Sequence, residues 1–431
     1  MSSENPKNPD ESAAWLAWTL HFIAVMLISS TGCRRIPQNA APLPHSAYVW
    51  QSRWSSQVSA AVRVDPDPFE RLVVLGVHVQ WRSGQPHVLR PLIDWEALRE
   101  SHKAIGFAVR IEVPPHEPTP DQVEIFLKAT QQLLSDSKAH GVSCQEIHLD
   151  YDSPQKRLSG YRFWLPRFRE AVRPTRLVIT TLPAWLKESE FRRLIEHADS
   201  FVLQVHSVST REPEEKAALF DLSRAKRWIE QASALGRPFL LSLPTYSALV
   251  GYDSQGQCLG MALDGEQPAW PPGIKIVEFR SDPDAIAGLV NELKTAHPVN
   301  MEGVMWYRFP VGGGEHNWQW PTINAVLAGR RPLRRMTPLG EGRGNGLVDI
   351  HVLNEGEVED RFTGTIRISW KGNAPVDMEA LSGWEFTKGV NEILMRRTAL
   401  PSPRVLPGAR SVCGWVRFNE KGPEVSLEMI P

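Results

Sequence analysis

The sequence has almost no net charge and few cysteines. Its 431 residues include 48 Lys and Arg against 49 Asp and Glu, for a formal net charge of −1. A protein that binds nucleic acid usually shows a basic patch or stripe, and this chain has none. The four cysteines form neither a CxxC pair nor a Cys/His spacing typical of zinc. The composition therefore argues against a nucleic-acid partner, and we expect no metal and no cofactor.

The N-terminal apolar run is too short for a standard membrane helix. It covers residues 15–28, whereas a span needs about 20 apolar residues. Such a run is typical of a signal-peptide core. The small residues before Cys33 resemble the lipobox of bacterial lipoproteins, which implies lipidation of Cys33. A short uncleaved anchor, helped by Arg34 and Arg35, is the alternative. Both interpretations predict a protein of the bacterial cell envelope, tethered to a membrane by an N-terminal lipid or anchor.

Short apolar runs alternate with helical segments from residue 47 onward. The period of the apolar residues predicts helices at 121–140, 156–172, 188–198, 222–235, 283–296 and 320–328. Thr119 and Pro120 suit the start of the first of these helices. The segment 55–69 is rich in Pro and Asp, and we expect no regular helix there. The runs typical of strands are 47–50, 72–79, 105–111, 146–150, 177–181, 201–206, 239–243 and 303–307.

Eight strand–helix units in about 280 residues match a (β/α)8 barrel in number and length. An open doubly wound sheet is the alternative. Beyond the barrel, alternating runs with few helical periods predict a small all-β, sandwich-like module. The predicted organisation is a leader at 1–33, a linker at 34–46, the barrel at 47–330, a Gly- and Arg-rich linker at 331–346 and the β module at 347–431.

The fourth predicted strand becomes acidic at its end. Because side chains alternate between the faces of a strand, His148, Asp150 and Asp152 point to one side. Charged groups on one face of an apolar strand are costly to bury. Barrel enzymes place their active groups at the carboxyl-terminal ends of strands. The end of this strand is therefore the predicted active site.

Asp150 and Asp152 form a candidate carboxylate pair. On one strand their Cα atoms lie about 6.5–7 Å apart, so ionisation of one raises the pKa of the other. A carboxylic acid that stays protonated can donate its proton to a glycosidic oxygen. We predict Asp152 as the general acid and Asp150 as the partner that orients and tunes it. The alternative is that the two aspartates cap the strand and the next helix, or bind a cation.

The same stretch resembles a known signature. His148-Leu149-Asp150-Tyr151-Asp152 is similar to the fourth-strand D-x-D-x-E motif of chitinase-like family 18 glycoside hydrolases, which are barrels. The resemblance places Asp150 at the middle Asp and Asp152 at the proton-donating acid. His148 replaces the first Asp, and Asp152 is shorter than the usual Glu by one C–C bond, about 1.5 Å. These differences favour a glycoside other than chitin.

A second resemblance covers more of the chain. Five motifs at strand ends between residue 47 and about 250 resemble the bacterial, lipoprotein-like family 3142 of domains of unknown function. The family has no assigned reaction, so this resemblance implies a fold and a location. The motifs are Tyr48-Val49-Trp50-Gln51, Leu149-Asp150-Tyr151-Asp152, Leu182-Pro183-Ala184-Trp185, Leu203-Gln204-Val205-His206 and Leu243-Pro244-Thr245-Tyr246.

Other strand ends supply candidate sugar contacts. The residues 246–261 resemble a hairpin long enough to cover a cleft, and the Gly-rich loop 312–318 suits a lid or a turn. Core packing and ordinary rim hydrogen bonds are the alternatives for the aromatic and histidine candidates. Glu112 and Glu315 are the two candidates for a second catalytic carboxylate. The predicted substrate contacts are Trp50, His148, Gln204, His206, Tyr246, Trp306 and Tyr307.

The leading hypothesis is a membrane-tethered, glycoside-hydrolase-like protein that acts on an envelope or extracellular polysaccharide or cell-wall glycan. The alternative is a non-catalytic glycan-binding or envelope-assembly lipoprotein that retains the barrel cleft. A third hypothesis, a metal-dependent hydrolase, requires two or more of the rim histidines His78, His148 and His206 to lie within about 2.0–2.2 Å of one ion.

Overall fold

Eight parallel strands close into a barrel. The computed structural model describes residues 38–64, 68–207, 217–263, 270–312, 316–398, 402–419 and 424–430. Neighbouring strands follow chain order, and the eighth pairs with the first through Val304 opposite His45. The closed barrel is therefore confirmed over the open sheet. Its strands are β1 His45–Val49, β2 Arg71–Arg82, β3 Ala104–Ile111, β4 Cys144–Tyr151, β5 Arg176–Thr181, β6 Ser200–Gln204, β7 Phe239–Pro244 and β8 Met301–Tyr307.

Each strand faces two environments. Outward side chains such as Ile147 and Leu149 of β4 are fully buried in the core between strands and helices. His148 and Asp150 point into the barrel, as the alternation predicts. The apolar inner layer consists of Tyr48, Val73, Leu75, Ala108, Val178, Val202, Leu240 and Met305.

A helix follows every barrel strand. The long helix after β3 begins as predicted: the hydroxyl of Thr119 accepts from the backbone N–H of Gln122 at 3.3 Å, and the backbone N–H of Thr119 donates to the side-chain oxygen of Gln122 at 3.0 Å. In the described part of the chain, no helix is long and apolar enough to cross a membrane. The helices are α1 Ser56–Arg63, α2 Trp95–Glu100, α3 Pro120–Ala139, α4 Leu158–Val172, α5 Ser189–Leu194, α6 Leu222–Ser233, α7 Pro283–Thr295 and α8 Trp320–Leu327.

The helix α1 corrects the expectation of an irregular segment at 55–69. Ser55 caps the helix by accepting from the backbone of Val58 at 3.4 Å. Val58 and Val62 are buried on the side that packs against the core. The Pro- and Asp-rich part of the segment starts beyond Arg63, where the helix has ended. Apolar residues four apart were therefore a better guide to this segment than its average composition.

A three-stranded antiparallel sheet is inserted after β7; it is called the insertion below. Its first two strands, Ser247–Tyr252 and Cys258–Leu263, form the predicted hairpin. The turn is held by Asp253, whose carboxylate accepts from the backbones of two residues at 2.8 and 2.9 Å. A third strand, Lys275–Arg280, pairs with the first and was not predicted. A shorter addition, Gln85–Leu89, pairs antiparallel with the end of β2.

Both predicted linkers contain paired strands. In the segment 34–46, Gln38–Asn39 pairs with His297–Pro298, and β1 already begins at His45. In the segment 331–346, Met336–Gly344 pairs along its length with Leu347–Asn354. The glycines of this second segment suggested a flexible connection. They instead permit a tight turn at Gly344, where φ is +86°, and the close approach of Leu427 to Gly340.

The C-terminal module is a sandwich of two four-stranded antiparallel sheets, as predicted. Buried residues from both sheets, including Ile350, Cys413, Ile366 and Met395, share one apolar core. The first sheet has the order Met336–Gly344, Leu347–Asn354, Arg410–Arg417, Asp377–Ala380. The second has the order Trp384–Lys388, Glu392–Arg397, Thr365–Lys371, Glu424–Ile430.

Ion pairs join the module to the insertion. Arg404 of the module donates to Glu278 of the insertion at 2.5 Å, and Arg280 pairs with Glu359. Burial opposes ionisation of Glu278, but its hydrogen bond from Arg404 and the charge of Arg280 hold its pKa at about 2. Glu278 therefore remains charged at neutral pH, and the junction is polar rather than an apolar seam.

The barrel core can be tested with two leucines of opposite exposure. Leu177 of β5 is fully buried, whereas 84% of Leu92 is exposed. We expect Leu177→Ala to lower the free energy of unfolding by about 2–5 kcal/mol, because it removes buried surface and leaves a cavity. Leu92→Ala should change it by less than about 0.5 kcal/mol. Urea denaturation of both variants measures the difference, and equal losses would contradict the described packing.

Candidate active site

Polar side chains from neighbouring strands meet at the mouth of the barrel. Asp150 is the last inward residue of β4, and Asp152 follows the end of that strand. Arg110 lies opposite Asp150 on β3 in the parallel ladder. Thr180 and Gln204 come from β5 and β6. The closed strand order therefore brings together the residues that surround the predicted acid pair.

Asp150 is held firmly below the mouth. One of its carboxylate oxygens accepts from Arg110, and the other accepts from Thr180 at 2.7 Å and from Gln204 at 3.5 Å. Only 3% of the residue is exposed. Asp150 is thus placed to act on its neighbours through its charge rather than to contact a substrate.

Asp152 lies nearer to solvent. Its side chain is 31% exposed, and one oxygen is 3.5 Å from the guanidinium of Arg110. Burial raises the pKa of Asp152 to about 6; the nearby charge of Asp150 adds to this rise, and Arg110 opposes it. The direction is the one that the carboxylate pair predicts. Asp152 is therefore the member of the pair that can exchange a proton near neutral pH.

Arg110 was not predicted as a site residue, although it contacts both aspartates. The charge of Asp150 is the largest cause of a raised pKa for Arg110, with a further contribution from Asp152. Its position two residues before Glu112 on the same face of β3 was the signal that could have revealed it. The guanidinium neutralises part of the negative charge that two adjacent carboxylates would otherwise concentrate.

The prediction of His148 as a substrate contact is wrong. The ring is completely buried, with its two nitrogens 2.7 Å from the hydroxyl of Tyr48 and 2.8 Å from the carboxylate of Glu146. Burial opposes ionisation of Glu146, but His148, Arg71 and Arg176 hold its pKa below the usual range. A polar column thus runs through the barrel beneath the mouth. Glu146 escaped prediction, although it lies two residues before His148 on the same face.

Trp306 is also wrongly predicted as a substrate contact. It is fully buried, packs against Trp318 outside the strands and donates to His45 at 3.1 Å. Adjacent strand residues point in opposite directions, so Tyr307 is the inward member of this pair. Of these two residues, Tyr307 is therefore the one that lies at the mouth of the barrel.

Four aromatic side chains surround Tyr307, and these five residues together are called the aromatic wall. Trp50 and Tyr246 each lie with ring centres 5.3 Å from Tyr307, His206 is stacked on it at 5.6 Å, and Tyr48 lies at 6.1 Å. Trp50 and Tyr307 are partly exposed. These two offer apolar faces to a ligand in the cleft.

His206 and Tyr246 stand behind this surface rather than on it. Only 7% and 6% of them is exposed, and they hydrogen-bond to each other at 3.2 Å. His206 also bonds to Ser242 at 2.9 Å. Burial lowers the pKa of His206 to about 3, so its ring is neutral at pH 7. His206 and Tyr246, which were predicted as substrate contacts, are therefore placed to support the ring of Tyr307. Gln204, by contrast, is partly exposed at the cleft.

The three histidines proposed for a metal site do not converge. His78 bonds to Glu112 at 3.0 Å, whereas His148 and His206 have the separate partners given above. Among the residues described, no three His, Cys, Asp or Glu side chains are placed to ligate one ion. The geometry of the described residues therefore does not support the hypothesis of a metal-dependent hydrolase.

Two predicted positions lie outside the described residues: Cys33, the predicted lipidation site, and Glu315, a candidate for the second catalytic carboxylate. The remaining cysteines, Cys144, Cys258 and Cys413, are free thiols. Burial raises the pKa of Cys144 and of Cys413 to about 12, so both thiols stay protonated at neutral pH. Neither is activated as a nucleophile.

A family model covers most of the barrel, including this mouth. Residues 107–312 match DUF3142, a domain of unknown function. The matched segment begins within β3 and ends after β8, so it contains Asp150, Asp152 and the residues of the aromatic wall other than Tyr48 and Trp50. The resemblance to this family that the strand-end motifs indicated is therefore confirmed. No curated protein matches the sequence.

Several solved structures resemble the chain at low identity. The spore cortex-lytic enzyme SleL of Bacillus cereus is 11% identical, with 67% of this chain and 75% of that chain covered and a TM-score of 0.46. Chitinase ChiA74 from Bacillus thuringiensis is 9% identical, with coverages of 89% and 100% and a TM-score of 0.41. An endo-beta-1,4-mannanase from Thermotoga petrophila is 11% identical, with coverages of 88% and 98% and a TM-score of 0.41.

The charges around Asp152 predict opposite effects of two substitutions. Asp150→Asn removes a negative charge that raises the pKa of Asp152, so that pKa should fall below about 6. Arg110→Gln removes a positive charge that lowers it, so the pKa should rise. Carbon-13 NMR of Asp side-chain carboxyls against pH measures both, with the distant surface variant Glu124→Gln as a control. Shifts of the same sign in the two variants would contradict this account.

Proposed function

We propose that the barrel is a glycoside hydrolase that acts on an envelope or extracellular polysaccharide, with Asp152 as its general acid. The observation that carries the proposal is a partly exposed carboxyl group whose pKa is raised to about 6 beside a second, buried aspartate. A group with such a pKa is protonated in a useful fraction of molecules at slightly acidic pH. Proton donation to a leaving sugar oxygen needs this property.

Asp150 has the supporting role in this proposal. Its three hydrogen-bond donors fix its position, so its charge stays close to Asp152 while a substrate binds and leaves. That charge favours the protonated form of Asp152. Arg110 acts in the other direction and stabilises the carboxylate that Asp152 becomes after it has donated its proton.

The aromatic wall supports a sugar as the ligand. Trp50 and Tyr307 present partly exposed rings at the mouth. A sugar ring has apolar C–H faces that pack against aromatic rings, and its hydroxyls need polar partners such as Gln204. Apolar walls with a few convergent polar groups are the usual composition of a ligand site.

His148 separates this site from the chitinase-like pattern. In the position of the first acidic residue of that pattern, His148 is buried and engaged by Tyr48 and Glu146. The position directly below Asp150 on this face of β4 therefore carries an imidazole rather than a carboxylate. Together with the shorter acid at position 152, this difference supports a substrate other than chitin.

The competing proposal is a glycan-binding protein without catalysis. Its support is the contact of 3.5 Å between Arg110 and Asp152, because an arginine close to a carboxylate favours the ionised form. An ionised Asp152 can accept hydrogen bonds from sugar hydroxyls but has no proton to donate. The two proposals therefore differ in whether bound glycan is cleaved.

Fragment release from bacterial cell-wall and exopolysaccharide preparations tests the enzyme. We expect the full-length protein to release fragments, and Asp152→Asn to reduce the rate by about 100- to 10,000-fold because the amide cannot donate the proton. Release should also decline as the pH rises through about 6, since Asp152 then loses the proton that it must donate. Chromatography of the soluble products measures the rate.

A control and one outcome of this experiment complete the comparison of the two proposals. Glu124→Gln, on the outer surface of α3, should leave release unchanged. Binding of glycan without release, equal in the wild type and in Asp152→Asn, would leave the glycan-binding protein as the function.

We also propose a location at the bacterial cell envelope, through a lipid on Cys33. The small residues before Cys33 and the short apolar run at 15–28 support this location. Cys33→Ser should move the protein from the membrane fraction to the soluble fraction of bacterial cells, because the lipid can no longer be attached. Immunoblots of the two fractions measure this. Retention of the variant in the membrane would favour the uncleaved anchor.

A further inference from the structure

A polar cavity of about 250 Å³ lies where the insertion, the starts of α7 and α8, and the C-terminal module meet. Two of its lining residues fix the chain next to the aromatic wall. The hydroxyl of Ser281 donates to the backbone oxygen of Tyr246 at 3.0 Å, and the side-chain oxygen of Asn317 accepts from the hydroxyl of Thr245 at 2.6 Å. The described lining does not include Asp152, so this cavity is distinct from the candidate active site.

Arginines outnumber acids two to one in the described lining. Arg280 and Arg404 are each paired with two glutamates, and Arg334 is paired with two aspartates. Carboxylates inside and next to the cavity therefore neutralise these three guanidinium groups. The charged residues of the lining are Arg280, Arg334, Arg361, Arg404, Glu359 and Asp360.

Arg361 differs from the other three arginines. One nitrogen of its guanidinium donates to the backbone oxygen of Ser402, and no described acid forms an ion pair with it. A guanidinium has five N–H donors in a planar fork that matches two oxygens of a carboxylate or phosphate. Pro283 and Thr322, in the first turns of α7 and α8, line the same cavity, and the N-terminal ends of helices favour anions. The cavity therefore offers a negative group an arginine whose charge no described acid neutralises.

We propose that this cavity is an anion-binding site in which Arg361 holds an oxyanion, either the carboxylate of a sugar acid or a phosphate group. The lining comes from the insertion and from the module, so a bound anion contacts both and stabilises their junction. This inference is independent of the proposed hydrolase, because a glycan-binding protein without catalysis has the same cavity.

Isothermal titration calorimetry of the full-length protein tests the site with glucuronate, inorganic phosphate and neutral glucose as probes. We expect one or both anions to bind, and Arg361→Gln to weaken that binding about 10- to 100-fold because the charged hydrogen bonds are lost. Arg343→Gln is the matched control, since Arg343 is a surface arginine of the same module that pairs with Asp349 at 2.8 Å, and it should bind like the wild type. Binding of glucuronate without phosphate identifies a sugar acid as the ligand, and binding of phosphate identifies a phosphate group.

Glu359→Gln supplies a test of opposite sign. Its carboxylate lines the cavity and repels an anion on Arg361, so the substitution should raise the affinity about threefold or more. This variant also keeps the inference testable if the denaturation midpoint shows that Arg361→Gln does not fold.

Three results would overturn the inference. The first is that neither anion binds to the wild type. The second is equal affinity of the wild type, Arg361→Gln and Glu359→Gln. The third is glucuronate binding that Tyr307→Ala abolishes and Arg361→Gln retains, because the sugar acid would then occupy the mouth of the barrel. None of these results alters the effect of Asp152→Asn on fragment release, so the hydrolase is tested separately.

Discussion

Every strand of the barrel has to fill two different spaces with alternate residues. The outward set packs against the helices and is apolar, as Ile147 and Leu149 show. Apart from His148, the inward set is apolar around the middle of the barrel and polar towards its ends, so that charged groups lie where partners or water can reach them. This alternation decides which residues can form a site at all. A displacement by one residue would exchange the two sets and bury the carboxylates among the helices.

Charges within the barrel come in opposing sets, which makes their burial tolerable. Arg71 and Arg176 face Glu146 at the amino-terminal end, and Arg110 lies between Asp150 and Asp152 at the mouth. Isolated charges in such a place would cost several kcal/mol each. The pairing at the mouth is incomplete in one respect, since among the described residues Arg110 alone forms ion pairs with both aspartates. The raised pKa of Asp152 follows first from its burial and then from that imbalance.

The sequence was sufficient for the architecture and for the acid pair, because both depend on local periodicity. Eight apolar runs predicted eight strands, and the spacing of Asp150 and Asp152 placed them on one face. It was not sufficient to distinguish Trp306 from Tyr307, since the direction of a side chain at a strand end depends on the register with neighbouring strands. The same holds for Arg110, whose significance comes from lying opposite Asp150 of β4. Glycine content misled the prediction at 336–344, because pairing with the next strand overrode the composition.

The insertion after β7 connects two parts of the molecule that the chain order keeps far apart. On one side, Tyr246 and the apolar residues that follow it pack with Tyr307 of the aromatic wall. On the other side, Glu278 and Arg280 receive the charged partners of the C-terminal module. The insertion therefore contacts both the cleft of the barrel and the C-terminal module. A module from another protein would need a matching pattern of acids and arginines to dock here, so barrel and module are constrained to change together rather than as interchangeable parts.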